Sequence, residues 1–432
     1  MRLFSTKNRN EFVTLEAAVR KGLSADNGLY MPEKILPFDG NFIKNIKDYS
    51  FPEICVKICE QFFQGDIPRQ AIEEIIEAAI NFPAPLVTLN ENTHVLELFH
   101  GPTLAFKDFG ARFMARLLAY FNEKAYVETT ILVATSGDTG GAVASGFLNV
   151  PGIKVVILYP SGKVSELQEK QLTTLGGNIE ALEVNGTFDD CQTLVKTAFL
   201  DGELNKRTNL CSANSINIAR LIPQSFYYFE GYKQLNNPTN VTFVVPSGNY
   251  GNLTAGVFAK QMGLPVHEFV AASNANDIVP KFLATGNYTP KRSISTISNA
   301  MDVGNPSNFE RLQDLFGSTW NNYKTALFGY AVSEQETIQT IRDIYEQYHY
   351  LADPHTSVGL CAFKKHSQGK PTNGIVLGTA HPAKFLETME KTLNIQIPLP
   401  EALLAIQEKT GTTTKIENSY SMLKEFLVRQ NS

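Results

Sequence analysis

A chain of 432 residues is too long for one hydrophobic core, since cores stop growing at roughly 250 to 300 residues, so two or three domains are expected. With 43% hydrophobic, 10% aromatic and 19% charged residues, it carries enough apolar surface to offset chain entropy, which excludes disorder. Its 38 Lys and Arg against 43 Asp and Glu give a net charge of −5 without any basic stripe, which excludes a nucleic-acid partner but still allows a few convergent cations to capture a small anion.

The opening Met1 to Glu11 lacks the apolar segment of a signal peptide, and no stretch of about 18 uninterrupted apolar residues occurs, so neither export nor a membrane span is expected. Residues 1–94 mix turns with short helical patterns, at Phe12 to Lys21 and Gln70 to Ile80, and include the Pro-punctuated Phe82-Pro83-Ala84-Pro85-Leu86. They read as a separate amino-terminal domain. Over 95–432 the rhythm changes to short apolar runs followed by small-residue turns and helical patterns, the signature of βα units around parallel sheets in an α/β catalytic body.

Near the start of this body lies Leu98-Phe99-His100-Gly101-Pro102-Thr103-Leu104-Ala105-Phe106-Lys107-Asp108-Phe109, one lysine among apolar and aromatic neighbours. Partial burial disfavours the ammonium form, and a neutral amine is what bonding to an aldehyde cofactor requires. Alternatively, Lys107 snorkels from a helix face or pairs with Asp108.

Buried strands are then expected at Thr130 to Ala134, Lys154 to Leu158, Val241 to Val245, His267 to Ala271 and Gly374 to Leu377. In open α/β sheets ligands bind outside the carboxyl ends of strands, so the turns that follow are where chemistry is sought. After the first comes Thr135-Ser136-Gly137-Asp138-Thr139-Gly140, whose hydroxyls and N–H groups suit a carboxylate. After the third comes Pro246-Ser247-Gly248-Asn249-Tyr250-Gly251-Asn252, which reads either as a phosphate cradle at a helix amino terminus or as a tight turn whose glycines satisfy geometry alone.

In order and in wording, these three segments resemble the threonine synthases. The similarity spans nearly the whole chain, taking in Gly22 to Tyr30, Pro160-Ser161-Gly162-Lys163-Val164-Ser165, Ser212 to Arg220 and Gly378-Thr379-Ala380-His381-Pro382. Tyr250 stands where Phe is commoner, and Asn27 where Gly is expected.

The resemblance implies a tryptophan-synthase-β-like fold (fold type II): two open twisted-sheet α/β domains, the smaller and mobile one at roughly 100–225, plus the amino-terminal domain. It implies pyridoxal 5'-phosphate (PLP) as cofactor, with Lys107 as the catalytic lysine bonded to it. Ser247, Gly248, Asn249, Tyr250, Gly251 and Asn252 would receive the cofactor phosphate, and Thr379 would face the pyridine nitrogen; a strand-end hydroxyl bonded to its own backbone is the other reading of Thr379. The implied substrate is O-phospho-L-homoserine, with its carboxylate near Ser136, Gly137, Asp138 and Thr139 and its phosphate near Lys163, Ser212, Asn214, Asn217 and Arg220. A monomer, with closure of the smaller domain over the cofactor, is also implied.

A serine or threonine dehydratase or a cysteine synthase would need the same lysine and phosphate loop, but these begin directly with the catalytic body and carry their lysine in a Ser-x-Lys context. A non-catalytic relative that binds PLP or a phosphorylated metabolite would be expected to have lost Lys107. The seven histidines show no metal-ligand spacing, which argues against a metal-dependent hydrolase. The five cysteines, Cys55, Cys59, Cys191, Cys211 and Cys361, form no C-x-x-C pair; they fit reduced thiols in a cytosolic protein rather than a disulfide framework or a zinc site.

Overall fold

Among the described residues, eleven of the fourteen strands fall into two sheets that meet at one cleft. The computed structural model describes residues 1–430 apart from Ser136, Ser318 and Pro371, and leaves the side chains of Lys206 and Gln430 undescribed. The larger sheet has the order Leu327–Ala331, Glu268–Ser273, Val241–Pro246, Asn373–Gly378, Thr93–Glu97, Leu86–Asn90. All neighbours in it are parallel except the last pair, which forms an antiparallel hairpin. The smaller sheet is parallel throughout, in the order Thr414–Glu417, Ile179–Asn185, Ile153–Pro160, Thr129–Ala134, Leu210–Ser212.

The continuous apolar runs explain why these are parallel strands. Every residue of Val241–Pro246, Glu268–Ser273 and Thr129–Ala134 is buried, as expected of strands covered by helices on both faces. All five expected strands are present, each reaching one or two residues beyond an expected limit, although the fourth begins at Glu268 and leaves out His267. The carboxyl-terminal Thr414–Glu417 joins the smaller sheet beside Ile179–Asn185, although it follows every strand of the larger one in the chain. Ile416, Leu423 and Leu427 there complete the hydrophobic cover of Leu132, Val156 and Leu182.

Residues 2–32 form an antiparallel sheet in the order Asn8–Thr14, Arg2–Ser5, Tyr30–Pro32. The expected helix from Phe12 is therefore shorter: Phe12, Val13 and Thr14 are strand, and the Thr14 hydroxyl accepts the Ala17 N–H at 3.2 Å to start the helix Leu15–Lys21. Asn27 adopts φ 60°, a left-handed conformation that asparagine tolerates better than most residues. The helices Phe51–Phe63 and Arg69–Ala79 follow, the first opened by a Ser50/Glu53 capping box. Their apolar faces merge with the core of the catalytic body, where Phe63 stacks on Phe113 and Phe82 meets Phe109 edge-on.

Arg311 fixes how the amino-terminal sheet meets the cleft. Fully buried, its guanidinium donates to the carbonyls of Tyr30, Ser215 and Ile216 and to Asn308 Oδ1, tying the strand Tyr30–Pro32 to the segment that lines the cleft. Among the described residues no helix is long and apolar enough to cross a membrane. All five cysteines are free and buried.

The helix Gly251–Gln261 lies close against the larger sheet because Gly256 has no side chain; a Cβ there would stand 2.6 Å from the Tyr228 ring and 2.8 Å from Phe269. Gly256→Ala therefore overpacks the contact. We expect a net destabilisation of about 1 to 2 kcal/mol in denaturant unfolding, overpacking of about 1 to 3 kcal/mol exceeding the gain of up to about 1 kcal/mol in helix propensity.

Candidate active site

A cleft of about 750 Å³ opens between the carboxyl ends of the two sheets. Of the residues singled out from the sequence, Lys107, Asp138, Thr139, Lys163, Asn214, Arg220, Thr379 and the whole Ser247 to Asn252 turn line it. Gly137, Ser212 and Asn217 are not part of this wall, and Ser136 lies outside the described residues. Asn217 is fully buried, donating to Val19 O at 2.9 Å and to Ser212 O at 3.1 Å while capping the helix Ile218–Leu221, and the Ser212 hydroxyl accepts the Asn214 N–H at 3.3 Å. Both side chains are engaged in holding this segment in shape.

Lys107 opens the helix Lys107–Ala125. The segment before it is pinned to the end of strand Asn373–Gly378, with Phe106 N–H donating to Thr379 O at 2.9 Å and His381 N–H to Leu104 O at 3.0 Å. Leu104 takes φ 57°, an uncommon conformation for leucine, within this connection. Asp108 does not serve as the counter-ion of Lys107. Its carboxylate accepts Thr103 N–H at 2.8 Å and the Thr103 hydroxyl at 2.6 Å, and burial raises its pKa to about 6 against those bonds.

The Lys107 amine stands in the cleft yet is enclosed by protein. Desolvation lowers its pKa from the ordinary 10.5 to about 8, with Lys384 and Arg220 adding to the effect and Asp138 opposing it. At pH 7 about a tenth of the amine is then neutral, against well under a thousandth for an ordinary lysine.

The Ser247 to Asn252 turn is built from its own polar side chains. The Ser247 hydroxyl donates to Asn252 Oδ1 at 2.6 Å and accepts Tyr250 N–H at 3.1 Å, while Asn252 Nδ2 donates to Pro246 O at 2.9 Å. Asn249 accepts the Ser307 N–H at 2.6 Å and donates to the Ser215 hydroxyl. Gly248 passes so close to Met301 that a Cβ would lie 2.6 Å from its Cα. Tyr250 takes φ 62° and pairs its buried hydroxyl with Ser273, so the extra oxygen relative to phenylalanine turns into the core. The N-cap residue Tyr250 supplies no side-chain bond to the helix Gly251–Gln261, and of the helix N–H groups Asn252 Oδ1 accepts only that of Leu253, at 3.0 Å, which leaves the N–H groups of Gly251 and Asn252 and the positive dipole end at the cleft.

Two buried polar atoms near the cleft have no partner among the described residues, Arg220 Nε and Asn214 Oδ1. Arg220 is 3% exposed, and burial lowers its guanidinium to about 10. An uncapped helix terminus for a phosphate, a low-pKa amine for an aldehyde and a strand-end hydroxyl at Thr379 in one cleft fit PLP. Among the described residues no group of three or more His, Cys, Asp and Glu is placed to hold a metal ion.

Sequence reasoning missed Lys384 and Gln168. Lys384 Nζ lies 2.7 Å from Asp138 Oδ1, to which Gln168 Nε2 also donates at 3.0 Å. Burial alone would raise the pKa of Asp138, but Lys384, Lys107 and these hydrogen bonds outweigh it and hold the carboxylate well below its usual range. Lys384 follows the Gly378 to Pro382 motif by two residues, and nothing in its spacing signals a reach across to Asp138. His355 lies in the helix Pro354–His366 and lines the cleft, its ring bonded to Asp353 at 2.8 Å.

The depressed amine of Lys107 has a consequence for stability. Between pH 8 and 10.5 the unfolded chain binds the lysine proton and the folded chain does not, so stability rises with pH there, and below pH 8 the full cost remains. Lys107→Met should stabilise the cofactor-free protein at pH 7 by roughly 1 to 3 kcal/mol, allowing for partial solvent screening, and should abolish that rise. Unfolding titrations across this pH range measure both.

Comparison with known proteins gives the site its family. The family model "Pyridoxal-phosphate dependent enzyme" matches residues 80–379, "Threonine synthase N terminus" matches 2–80 and "Threonine synthase, C-terminal" matches 356–427. The threonine synthase of Haemophilus influenzae is 46% identical over 432 residues, covering 99% of this chain and 100% of that protein. That of Escherichia coli is 47% identical over 407 residues, covering 93% and 94%. The crystal structure of the Escherichia coli threonine synthase superposes with a TM-score of 0.93 at 44% identity over 100% of both chains. PLP-bound threonine synthase from Brucella melitensis gives 0.93 at 34% identity, covering 100% of this chain and 99% of that one. Tomato threonine deaminase, at 15% identity and a TM-score of 0.57 over 84% of this chain and 97% of its own, shares the fold alone. The chain therefore belongs to the threonine synthase family of PLP-dependent, fold type II enzymes.

Proposed function

We propose that this protein converts O-phospho-L-homoserine and water into L-threonine and phosphate, as a PLP-dependent carbon–oxygen lyase acting on phosphates, and that it works as a cytoplasmic monomer. The observation that carries this reading is the meeting, in one cleft, of a lysine whose pKa is lowered to about 8, an uncapped helix terminus and the cations Arg220 and Lys163. Family membership supports the same activity.

In this reading Lys107 would bond to the cofactor aldehyde, the Ser247 to Asn252 turn would hold its phosphate, and Thr379 would meet the pyridine nitrogen. When bound, PLP supplies an electron sink for charge developing on the substrate. Thr379 carries a hydroxyl and no charge, so it does not enforce a protonated pyridine. The turn Ser136 to Thr139 takes the substrate carboxylate at its cleft-lining end, through hydroxyl and N–H groups such as those of Thr139 and not through the Asp138 carboxylate, while Gly137 stands behind the wall. Lys163, Asn214 and Arg220 take its phosphate, for which a buried guanidinium with an unpartnered Nε is suited. Ser212 and Asn217 hold the segment that carries Asn214.

The reaction takes protons from Cα and Cβ, expels phosphate from Cγ, returns a proton to Cγ, adds the hydroxyl of water at Cβ and returns a proton to Cα. Lys107 is the group that moves these protons, because its amine is neutral for a useful fraction of the time near pH 7. Water must stay out until the last step, and we assign that exclusion to closure of a smaller unit, roughly residues 100–225 together with the strand Thr414–Glu417 of its sheet, over the larger remainder of the body; the amino-terminal unit ends before Leu86, since Leu86–Asn90 and Thr93–Glu97 pair within the larger sheet and not in a separate unit reaching residue 94.

Purified protein should show the visible absorption of a lysine-bound PLP, and borohydride should fix the cofactor to Lys107. It should also release phosphate from O-phospho-L-homoserine. Lys107→Ala should lower kcat by at least about 10³-fold, and Arg220→Met should lower kcat/KM by roughly 100-fold. Activity retained in Lys107→Ala, or attachment elsewhere, would overturn the proposal. Small-angle scattering should show a smaller radius of gyration with substrate bound, and an unchanged profile would remove the closure step.

A further inference from the structure

Near Lys107, which is half-buried at the cleft, lies a fully enclosed lysine that the proposed reaction does not use. Lys384, 6% exposed, pairs with Asp138, 7% exposed, at 2.7 Å and donates to Thr103 O at 2.9 Å. Asp138 and its other partner Gln168 stand on the helices Asp138–Phe147 and Glu166–Thr173 that flank the smaller sheet, whereas Lys384 follows the strand Asn373–Gly378 of the larger one. The charges acting on Lys107 are those of Asp138, Lys384 and Arg220, and Asp108 on its own helix is turned to Thr103.

A buried carboxylate requires a counter-ion, and two lysines act on Asp138. The lysine that serves is held as an ammonium, which has no lone pair to offer. Thr103 O anchors the Lys384 ammonium against the carboxylate, leaving Lys107 as the lysine without that duty.

We propose that Lys384 is a positioning residue for the reaction: by neutralising Asp138 it weakens that carboxylate's hold on a Lys107 ammonium, so that more of the Lys107 amine is uncharged and free to condense with the cofactor aldehyde, with loss of one water. This rests on Lys107 being the cofactor lysine. The same pairing removes a negative charge from the turn assigned to the substrate carboxylate.

The test uses full-length protein. The pH dependence of Lys107 acylation by trace acetic anhydride, read by peptide mapping on cofactor-free chain, gives the amine midpoint. The rate of PLP attachment, trapped with borohydride, gives the functional consequence. Lys384→Met should raise the midpoint by about 1 pH unit or more and slow attachment at pH 7 about tenfold, whereas Lys384→Arg should stay close to the parent. Asp138→Asn should lower the midpoint, and the double variant should return near the parent value. Midpoints that do not move, or that move in the same direction in Lys384→Met and Asp138→Asn, would overturn the proposal. If Lys384→Met fails to fold, Asp138→Asn and the double variant decide it by the same signs. Trapping on a residue other than Lys107 would instead refute the cofactor assignment, which the acylation midpoints do not depend on.

Discussion

The constraint on which this structure turns is that a lysine amine must leave water without finding a carboxylate of its own. Desolvation alone lowers a lysine pKa, and a nearby anion restores it. Around Lys107 both candidate anions are already engaged, Asp108 by two hydrogen bonds from Thr103 and Asp138 by Lys384 and Gln168. The cost of burying so many charges falls on the fold, and it is met by parallel sheets whose apolar strands are covered on both faces.

The two sheets divide the work. The larger one supplies rigid strand ends. Its strand Val241–Pro246 runs into a turn knitted by Ser247 and Asn252, and its neighbour Asn373–Gly378 holds the Lys107 segment through the Thr379 carbonyl. The smaller sheet supplies the opposing wall, with Asp138, Thr139 and Lys163, and reaches the larger one through the Asp138–Lys384 ion pair. Arg311 adds a third tie, from Tyr30 in the amino-terminal sheet to Ser215, whose hydroxyl receives Asn249. The amino-terminal residues thus share both the core and the hydrogen bonding of the cleft.

The central strands could be read from the sequence because each is a short, mostly apolar run followed by small residues. The short edge strand Thr414–Glu417 could not, because Thr-Lys-Ile-Glu has one buried residue and gains its place from Ile179–Asn185, far back in the chain. Phe12 to Thr14 read as helix because their apolar spacing suits either period, and pairing with Arg2–Ser5 decided for strand. Asn217 and Ser212 carry donors suited to an anion, yet the structure directs those groups into backbone contacts that no local pattern reveals.

By itself the sequence determined the chemistry available: one lysine in an apolar setting, a glycine-bearing turn after a strand, a strand-end threonine, and the motif order that marks the family. These signals are local, since hydrophobic period and turn composition act over a few residues. Only the tertiary structure decided which charges face one another. Lys384 and Asp138 are paired because two sheets meet at a cleft, and the strength of a buried charge pair depends on distance and dielectric, quantities that no stretch of sequence contains.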